Sequence, residues 1–157
     1  MDRHFELTDK FIINAFGAKL FQIKCTRKIK YADIGDLGGY IEKENNLSGD
    51  AWVSGNAQVS GDAQVSGDAW VYGNAQVYGN AWVSNDNEHC GFDCFGSANR
   101  HTHSYKTKSG KIEITCGCFR GSIEEFEKQI KETHRGNEFE RQYIAIVEVI
   151  KIKFGLK

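Results

Sequence analysis

From Gly49 to Ser84 one pattern of apolar and polar positions recurs every six residues: GDAWVS, GNAQVS, GDAQVS, GDAWVY, GNAQVY and GNAWVS. Within a hexad Ala and Val lie two apart, so in extended backbone both point to the same side. The Trp or Gln between them, and the Ser or Tyr that follows, point to the other side. Gly followed by Asp or Asn supplies a corner, where positive φ or a local side-chain bond is needed. Two weaker hexads come first, Leu37–Glu42 (LGGYIE) and Lys43–Ser48 (KENNLS), with Ile41 and Leu47 at the position that Val53 holds later. A strand this short cannot bury a face by itself. Stacked on copies of itself it builds a continuous Ala/Val interior.

Hexads of this kind resemble the left-handed parallel β-helix, in which three hexads form one triangular coil. The hand is implied by that resemblance, since it runs against the usual right-handed crossover; a right-handed helix or a plain meander is the alternative. In the triangular register residues 18 apart are stacked, so Val53 lies on Val71, Val59 on Val77 and Val65 on Val83. Trp52 and Trp70 then share a face, Trp82 lies above Gln64 on another, and Tyr72 and Tyr78 are on the top coil. These outward aromatics either lie under terminal segments of the same chain or anchor an interface. Trp52, Trp70, Trp82, Tyr72 and Tyr78 are therefore the candidate interface residues, and a symmetric homo-oligomer, dimer or trimer, is the expected assembly.

The flanks do not follow the hexad. Phe11–Asn14 and Lys19–Lys24 read as two strands joined at Ala15–Ala18, a hairpin that would cover the open edge of the first coil. After Ser84 the polar stretch Asn85–Glu88 leads to Cys90–Arg100, which reads as a loop rich in Gly and Cys. His101–Lys106 and Lys111–Cys116 read as a hairpin, and Cys116–Gly121 as a turn into a helix. Ser122 with Glu125 has capping-box spacing, and Ile123, Phe126 and Ile130 form one helical stripe ending near His134. Gly136-Asn137 breaks it. Asn137 then opens a second helix with Phe139, Tyr143, Ile146 or Val147, Ile150 and Phe154 on its apolar face. The expected fold class is mainly β. A hairpin cap (1–36), a short hexapeptide-repeat β-helix with three hexads per coil (37–84) and a C-terminal ββαα unit (85–157) form one compact structure.

Composition narrows the function. The chain of 157 residues is about one domain in length. With 20 Lys plus Arg against 21 Asp plus Glu, the net charge of −1 gives no field to steer nucleic acid or an anionic membrane, so neither is an expected partner. Apolar runs such as Phe11-Ile12-Ile13 fall far short of the ~20 residues a membrane span needs. Asp2, Arg3, His4 and Glu6 break any apolar leader. Five cysteines, an odd number, fit a reduced cytoplasm better than a disulfide framework. Proline is absent and glycine numbers 17, a bias that the repeat accounts for.

Three constellations could carry chemistry. Cys90, Cys94, Cys116 and Cys118, with His89, His101 and His103 nearby, contain ligand types for zinc, but their spacing is not that of a paired CxxC site, and two cysteines in a strand also serve as small core residues. No metal or cofactor is expected. Gly96-Ser97-Ala98-Asn99-Arg100, with Thr102 and Tyr105, gathers a hydroxyl, an amide and a guanidinium. Gly117-Cys118-Phe119-Arg120-Gly121 runs into a helix N-terminus, where free N–H groups and the dipole favour an anion. If adjacent, the two loops would hold a phosphate-bearing ligand. The expected site is Ser97, Arg100, Thr102, Tyr105, Gly117, Cys118, Phe119, Arg120 and Gly121, with Arg100 and Arg120 on the anion and Tyr105 or Phe119 stacking a base. Ordinary capped turns with a solvated Arg120 are the alternative. No catalytic residue is expected. Hexapeptide acyltransferases use a histidine base, and Gly49–Ser84 contains none.

The segment Ala32–Glu44, the GNAQVYGNAWV hexads and the tail GCFRGSIEEFEKQIKETH resemble a family of hexapeptide-repeat proteins common in phages and prophages. The resemblance covers almost the whole chain, and the family has no assigned chemistry. The chain departs from the family pattern at Asp93-Cys94-Phe95 and in the His101–His103 pair. The resemblance implies a non-enzymatic, phage-encoded protein in the cytoplasm of the host bacterium. As a counter-defence factor it would sequester a small nucleotide signal or block a host immune protein. A structural module of a phage particle is the alternative, and a minimal acyltransferase is the remaining one.

Overall fold

Each hexad turns its corner at a glycine held at positive φ. Gly49, Gly55, Gly61, Gly67, Gly73 and Gly79 all lie between 63° and 67°, a region closed to most side chains. A computed structural model describes residues 3–156; Asp2, counted above among the polar residues at the start of the chain, lies outside them. Between corners run two-residue strands: β4 (Trp52–Val53), β5 (Gln58–Val59), β6 (Gln64–Val65), β7 (Trp70–Val71), β8 (Gln76–Val77) and β9 (Trp82–Val83), preceded by β3 (Leu37–Ile41). Those that are 18 residues apart pair in parallel: Val53 with Val71, Val59 with Val77, and Val65 with Val83. Ile41 pairs with Val59, and Leu47 bridges Val65, so the two weaker hexads keep the same register. Lys43–Ser48 departs in detail, because Glu44–Asn46 forms a 3-10 turn. The buried Asn46 amide explains how that is tolerated: it donates to the carbonyls of Gly61 at 3.2 Å and Ala63 at 2.8 Å. The Ala and Val rows are almost wholly buried, each Val contributing about 1.5–3 kcal/mol by burial.

β1 (Phe5–Ile13) and β2 (Lys19–Cys25) form the N-terminal hairpin. Its turn is closed by Asn14 Oδ1, which accepts from the amides of Phe16 and Ala18. β2 pairs antiparallel with β3, and β3 pairs parallel with β5, giving one sheet in the order β1-β2-β3-β5-β8. Phe5, Ile23, Cys25, Ile29 and Ala32 join the Ala/Val core.

The C-terminal unit differs from ββαα. Cys90–Arg100, expected as a loop, contains β10 (His89–Phe95), and the expected turn after Cys116 contains β13 (Phe119–Ser122). With β11 (Arg100–Lys106) and β12 (Ile112–Cys116) they make an antiparallel sheet in the order β10-β11-β12-β13, so the unit is ββββαα. Local composition hides both strands, since Gly91, Asp93 and Gly121 have low strand preference, yet pairing with β11 and β12 satisfies their backbone groups. The hairpin's own strands match the expectation closely.

One face of this sheet, with Ile114, Cys116 and Phe119, packs on α1 (Ile123–His134) and α2 (Glu138–Lys153). The other meets the coil. Tyr105 is buried in the coil core, Thr115 Oγ1 donates to the Gln76 carbonyl at 2.7 Å, and Thr107 bridges Ala81. α1 carries the expected capping box between Ser122 and Glu125, and Asn137 caps α2 by accepting from Phe139 and Glu140.

The outward aromatics divide. Trp52 is 2% exposed in the same core as Phe5, and no docking partner reaches it. The hairpin, through Phe5 and Ile23, shares that core and covers Trp52. Trp70 is stacked under Tyr31 at 4.8 Å, and Tyr78 packs between Phe16 and Arg120. Tyr72, 54% exposed, and Trp82, 40% exposed, face solvent.

Candidate ligand pocket and histidine cleft

The two arginines expected to share an anion lie on opposite faces of the C-terminal sheet. Arg120, on β13, faces the coil. Its Nε donates to Glu113 Oε1 at 3.0 Å and its guanidinium lies 4.8 Å from the Tyr78 ring centre, beside Gly79. Glu113 in turn accepts from Tyr105 Oη at 2.5 Å. Burial, reinforced by that carboxylate, drives the Tyr105 hydroxyl far above its ordinary range. Arg120 and Tyr105 are thus parts of one fixed network, and Tyr105 is fully buried. Thr102 is fully buried too, donating to Cys116 Sγ at 3.3 Å on the helix side. Neither can stack on or touch a ligand, because each is enclosed by the layer its strand face meets. Ser97 is exposed in the turn before β11, and Gly121 is buried against Glu125.

Arg100, Cys118 and Phe119 do come together. They line a cavity of about 370 Å³ between the end of the sheet and the two helices, with Phe126, His134 and Tyr143 opposite. The Arg100 side chain lies over Gly117, where the missing Cβ leaves room for its guanidinium. Among the described residues no carboxylate pairs with Arg100. The aromatic wall is built by contact: Tyr143 stacks on His134 and meets Phe126 edge-on, and Phe126 packs on Phe119. Burial, with Cys116 beside it, pushes the Tyr143 hydroxyl up to about 12, and the Arg100 charge opposes this.

A second arrangement escaped the sequence reading. His89, His101 and His103, noted there only as neighbours of the cysteines, form a hydrogen-bonded series on the coil side of β10 and β11. Asp93 Oδ1 is 2.6 Å from His101 Nδ1; His101 Nε2 is 3.0 Å from His103 Nδ1; His103 Nε2 is 3.0 Å from His89 Nδ1. Asp86 Oδ1 lies 3.6 Å from His89 Nε2, within ion-pair range but beyond a hydrogen bond, and that buried nitrogen has no hydrogen-bond partner. Gly91, opposite His103, makes the series possible. A Cβ there would sit 2.5 Å from His101 Cε1 and 2.6 Å from His103 Nδ1. The His-x-His spacing was the available signal, since it puts both rings on one strand face. The cross-strand His89 was not readable. The series lines a cleft of about 310 Å³ whose other wall is Trp70 and Tyr72, with ring centres 4.6 Å apart.

The cysteines do not converge. Cys90 and Cys116 lie on the helix side, while Cys94 and Cys118 are exposed. Cys116 and Cys118 do not share a strand face, because β12 ends at Cys116 and Gly117 turns at φ +60°. Among the described residues no three His, Cys, Asp or Glu side chains form a group that could hold a metal ion.

In comparison with known proteins, the model of the YdcK beta solenoid repeat family matches residues 57–73 and 63–76. No curated protein matches the chain. The match falls wholly within the hexads and supports a β-solenoid repeat protein. It takes in Trp70, Tyr72 and Gly73 of the cleft wall, but neither the histidines nor the Arg100 pocket.

Proposed function

We propose that this β-solenoid repeat protein is a non-enzymatic binding protein whose ligand is a small anionic compound with an aromatic part, of the nucleotide class. The unpaired Arg100 guanidinium at the rim of the Phe119, Phe126 and Tyr143 pocket carries the reading. A guanidinium fork fits phosphate, and aromatic faces stack a base. Of the residues expected to bind, Arg100, Cys118 and Phe119 line this pocket, Gly117 lies beneath Arg100, and Arg120 is left to the fold. The phage resemblance supplies the biological role, a cytoplasmic counter-defence factor that sequesters a nucleotide signal. It also supplies the left hand of the coil.

A thermal-shift screen against cyclic dinucleotides, cyclic ADP-ribose types and nucleoside phosphates tests the reading. One class should raise the melting temperature of the parent, and Arg100→Ala should remove that rise. If no phosphate-bearing compound moves the parent, the nucleotide reading falls.

The exposed Tyr72 and Trp82 favour a second reading, in which the protein acts through a protein surface, as a blocker of a host protein or a module of an assembly.

A further inference from the structure

The histidine series is one proton short. It makes four polar contacts: Asp93 to His101, His101 to His103, His103 to His89, and His89 to Asp86. Three neutral imidazoles carry one N–H each, which serves the three hydrogen bonds and leaves none for the 3.6 Å contact with a carboxylate at the fourth place. If His101 donates to Asp93, then His103 must donate to His101 and His89 to His103. The His89 Nε2 lone pair is then left facing the Asp86 carboxylate. Reversing every ring moves the mismatch to Asp93, where the 2.6 Å separation makes it worse. Either way one end lacks a positive hydrogen. The buried, unpartnered His89 Nε2, on a side chain 5% exposed, is where the structure shows the deficit.

The surroundings favour a cation there. Asp86 and Asp93 stand at the two ends and no Lys or Arg lines the cleft. Asp86 is held by the Trp70 amide at 2.8 Å and the Tyr31 hydroxyl, and Asp93 by Asn74. From α2 the Lys153 charge acts on His89 and on the half-buried Cys90 thiol, opposing a charge on the ring. Burial lowers the proton affinity of His89, and that of His103 strongly, with the neighbouring rings adding to it for His103. Near neutral pH these two buried rings therefore stay neutral. Two carboxylates then share the cleft with the half-exposed ring of Tyr72 and its neighbour Trp70, and no Lys or Arg side chain stands among its lining residues. Aromatic faces with carboxylates beside them recognise organic cations.

We propose that this cleft is a proton-linked binding site for a small organic cation, an ammonium or guanidinium compound held by Asp86, Asp93, Trp70 and Tyr72. The proton and the ligand compete to supply the same missing charge. Binding is therefore weakened in acid, where the series takes up its fourth proton, and is accompanied there by proton release. The site lies on the opposite face of the sheet from the Arg100 pocket and is independent of it.

Isothermal titration calorimetry with agmatine and with tetramethylammonium chloride, at constant ionic strength, tests this at pH 5.5 and 7.5 in two buffers of different ionisation enthalpy. At least one probe should bind saturably at pH 7.5 and more weakly at pH 5.5, with buffer-dependent heat in acid that counts up to one proton released. Tyr72→Ala, which removes an exposed side chain, should weaken binding by roughly fivefold through the lost cation–π contact. His103→Gln should abolish the pH dependence, and Arg100→Ala should change nothing. No saturable binding of either probe at pH 7.5 overturns the proposal. So does equal affinity in Tyr72→Ala, or affinity that rises in acid.

Discussion

Arg100 and Arg120 project from opposite faces of one four-stranded sheet, Arg100 over Gly117 toward the helices and Arg120 against Tyr78 on the coil. Twenty residues apart in sequence, they reach different layers because β11 and β13 present them on different sides of the pleat. Their substitutions should therefore separate stability from binding. Arg120→Ala removes the charge facing Glu113, which also holds the Tyr105 hydroxyl, and should lower stability by about 1–2 kcal/mol. Arg100→Ala should leave the melting temperature within the small range typical of exposed positions. Urea titration of both variants checks this, and the opposite ranking would contradict the assignment.

Val65 pairs with both Leu47 and Val83 and is wholly buried in the coil. Val65→Ala should cost about 2 kcal/mol, and Val65→Asp should prevent folding, because an unpaired carboxylate has no partner in the dry interior. Circular dichroism of the two variants at matched concentration would show a folded, weakened protein and an unfolded one. A cooperative melt for Val65→Asp would show that the coil interior admits water.

Acid should destabilise the fold in a defined window. His4, His89 and His103 all have proton affinities lowered by burial from the ordinary value of 6.5. The unfolded chain takes up protons first, so stability is intact above about pH 6.5 and declines as pH falls toward the folded values. The urea midpoint should be lower at pH 5.5 than at pH 7.5, and His103→Asn should shrink the difference. A midpoint that is flat or higher in acid would mean that the rings are solvated.

Ser122 accepts from the Glu125 amide and Glu125 reaches back to the Ser122 amide. Ser122→Ala should cost about 1 kcal/mol of stability, read from a denaturant midpoint. A loss of less than a few tenths would show that α1 is held by packing alone.

Self-association is expected through the solvent-facing aromatics, Tyr72 and Trp82. Light scattering should report a dimer or trimer, and Tyr72→Ser with Trp82→Ser should shift the mass toward the monomer. A monomer mass in the parent at high concentration would leave these rings to a different partner.

The period of six was fully legible in the sequence, and with it the 18-residue register, the inward Ala/Val rows and the glycine corners. Each hexad repeats one local rule, so copying it fixes the stacking. The two helices were legible for the same reason: Ser122, Asn137 and the apolar stripes act within a few residues of themselves. What only the tertiary structure decided depends on partners distant in the chain. β10 and β13 become strands because β11 and β12 offer them hydrogen bonds, despite their glycines. Trp52 is buried because the N-terminal hairpin, with Phe5 and Ile23, joins its core, and Arg120 is committed because Tyr78 and Glu113 receive it. His89 joins His103 only across the strand pair, over a glycine whose use is the side chain it lacks. Such pairings are set by backbone hydrogen bonding and the sidedness of a pleated sheet, neither of which leaves a period in the sequence.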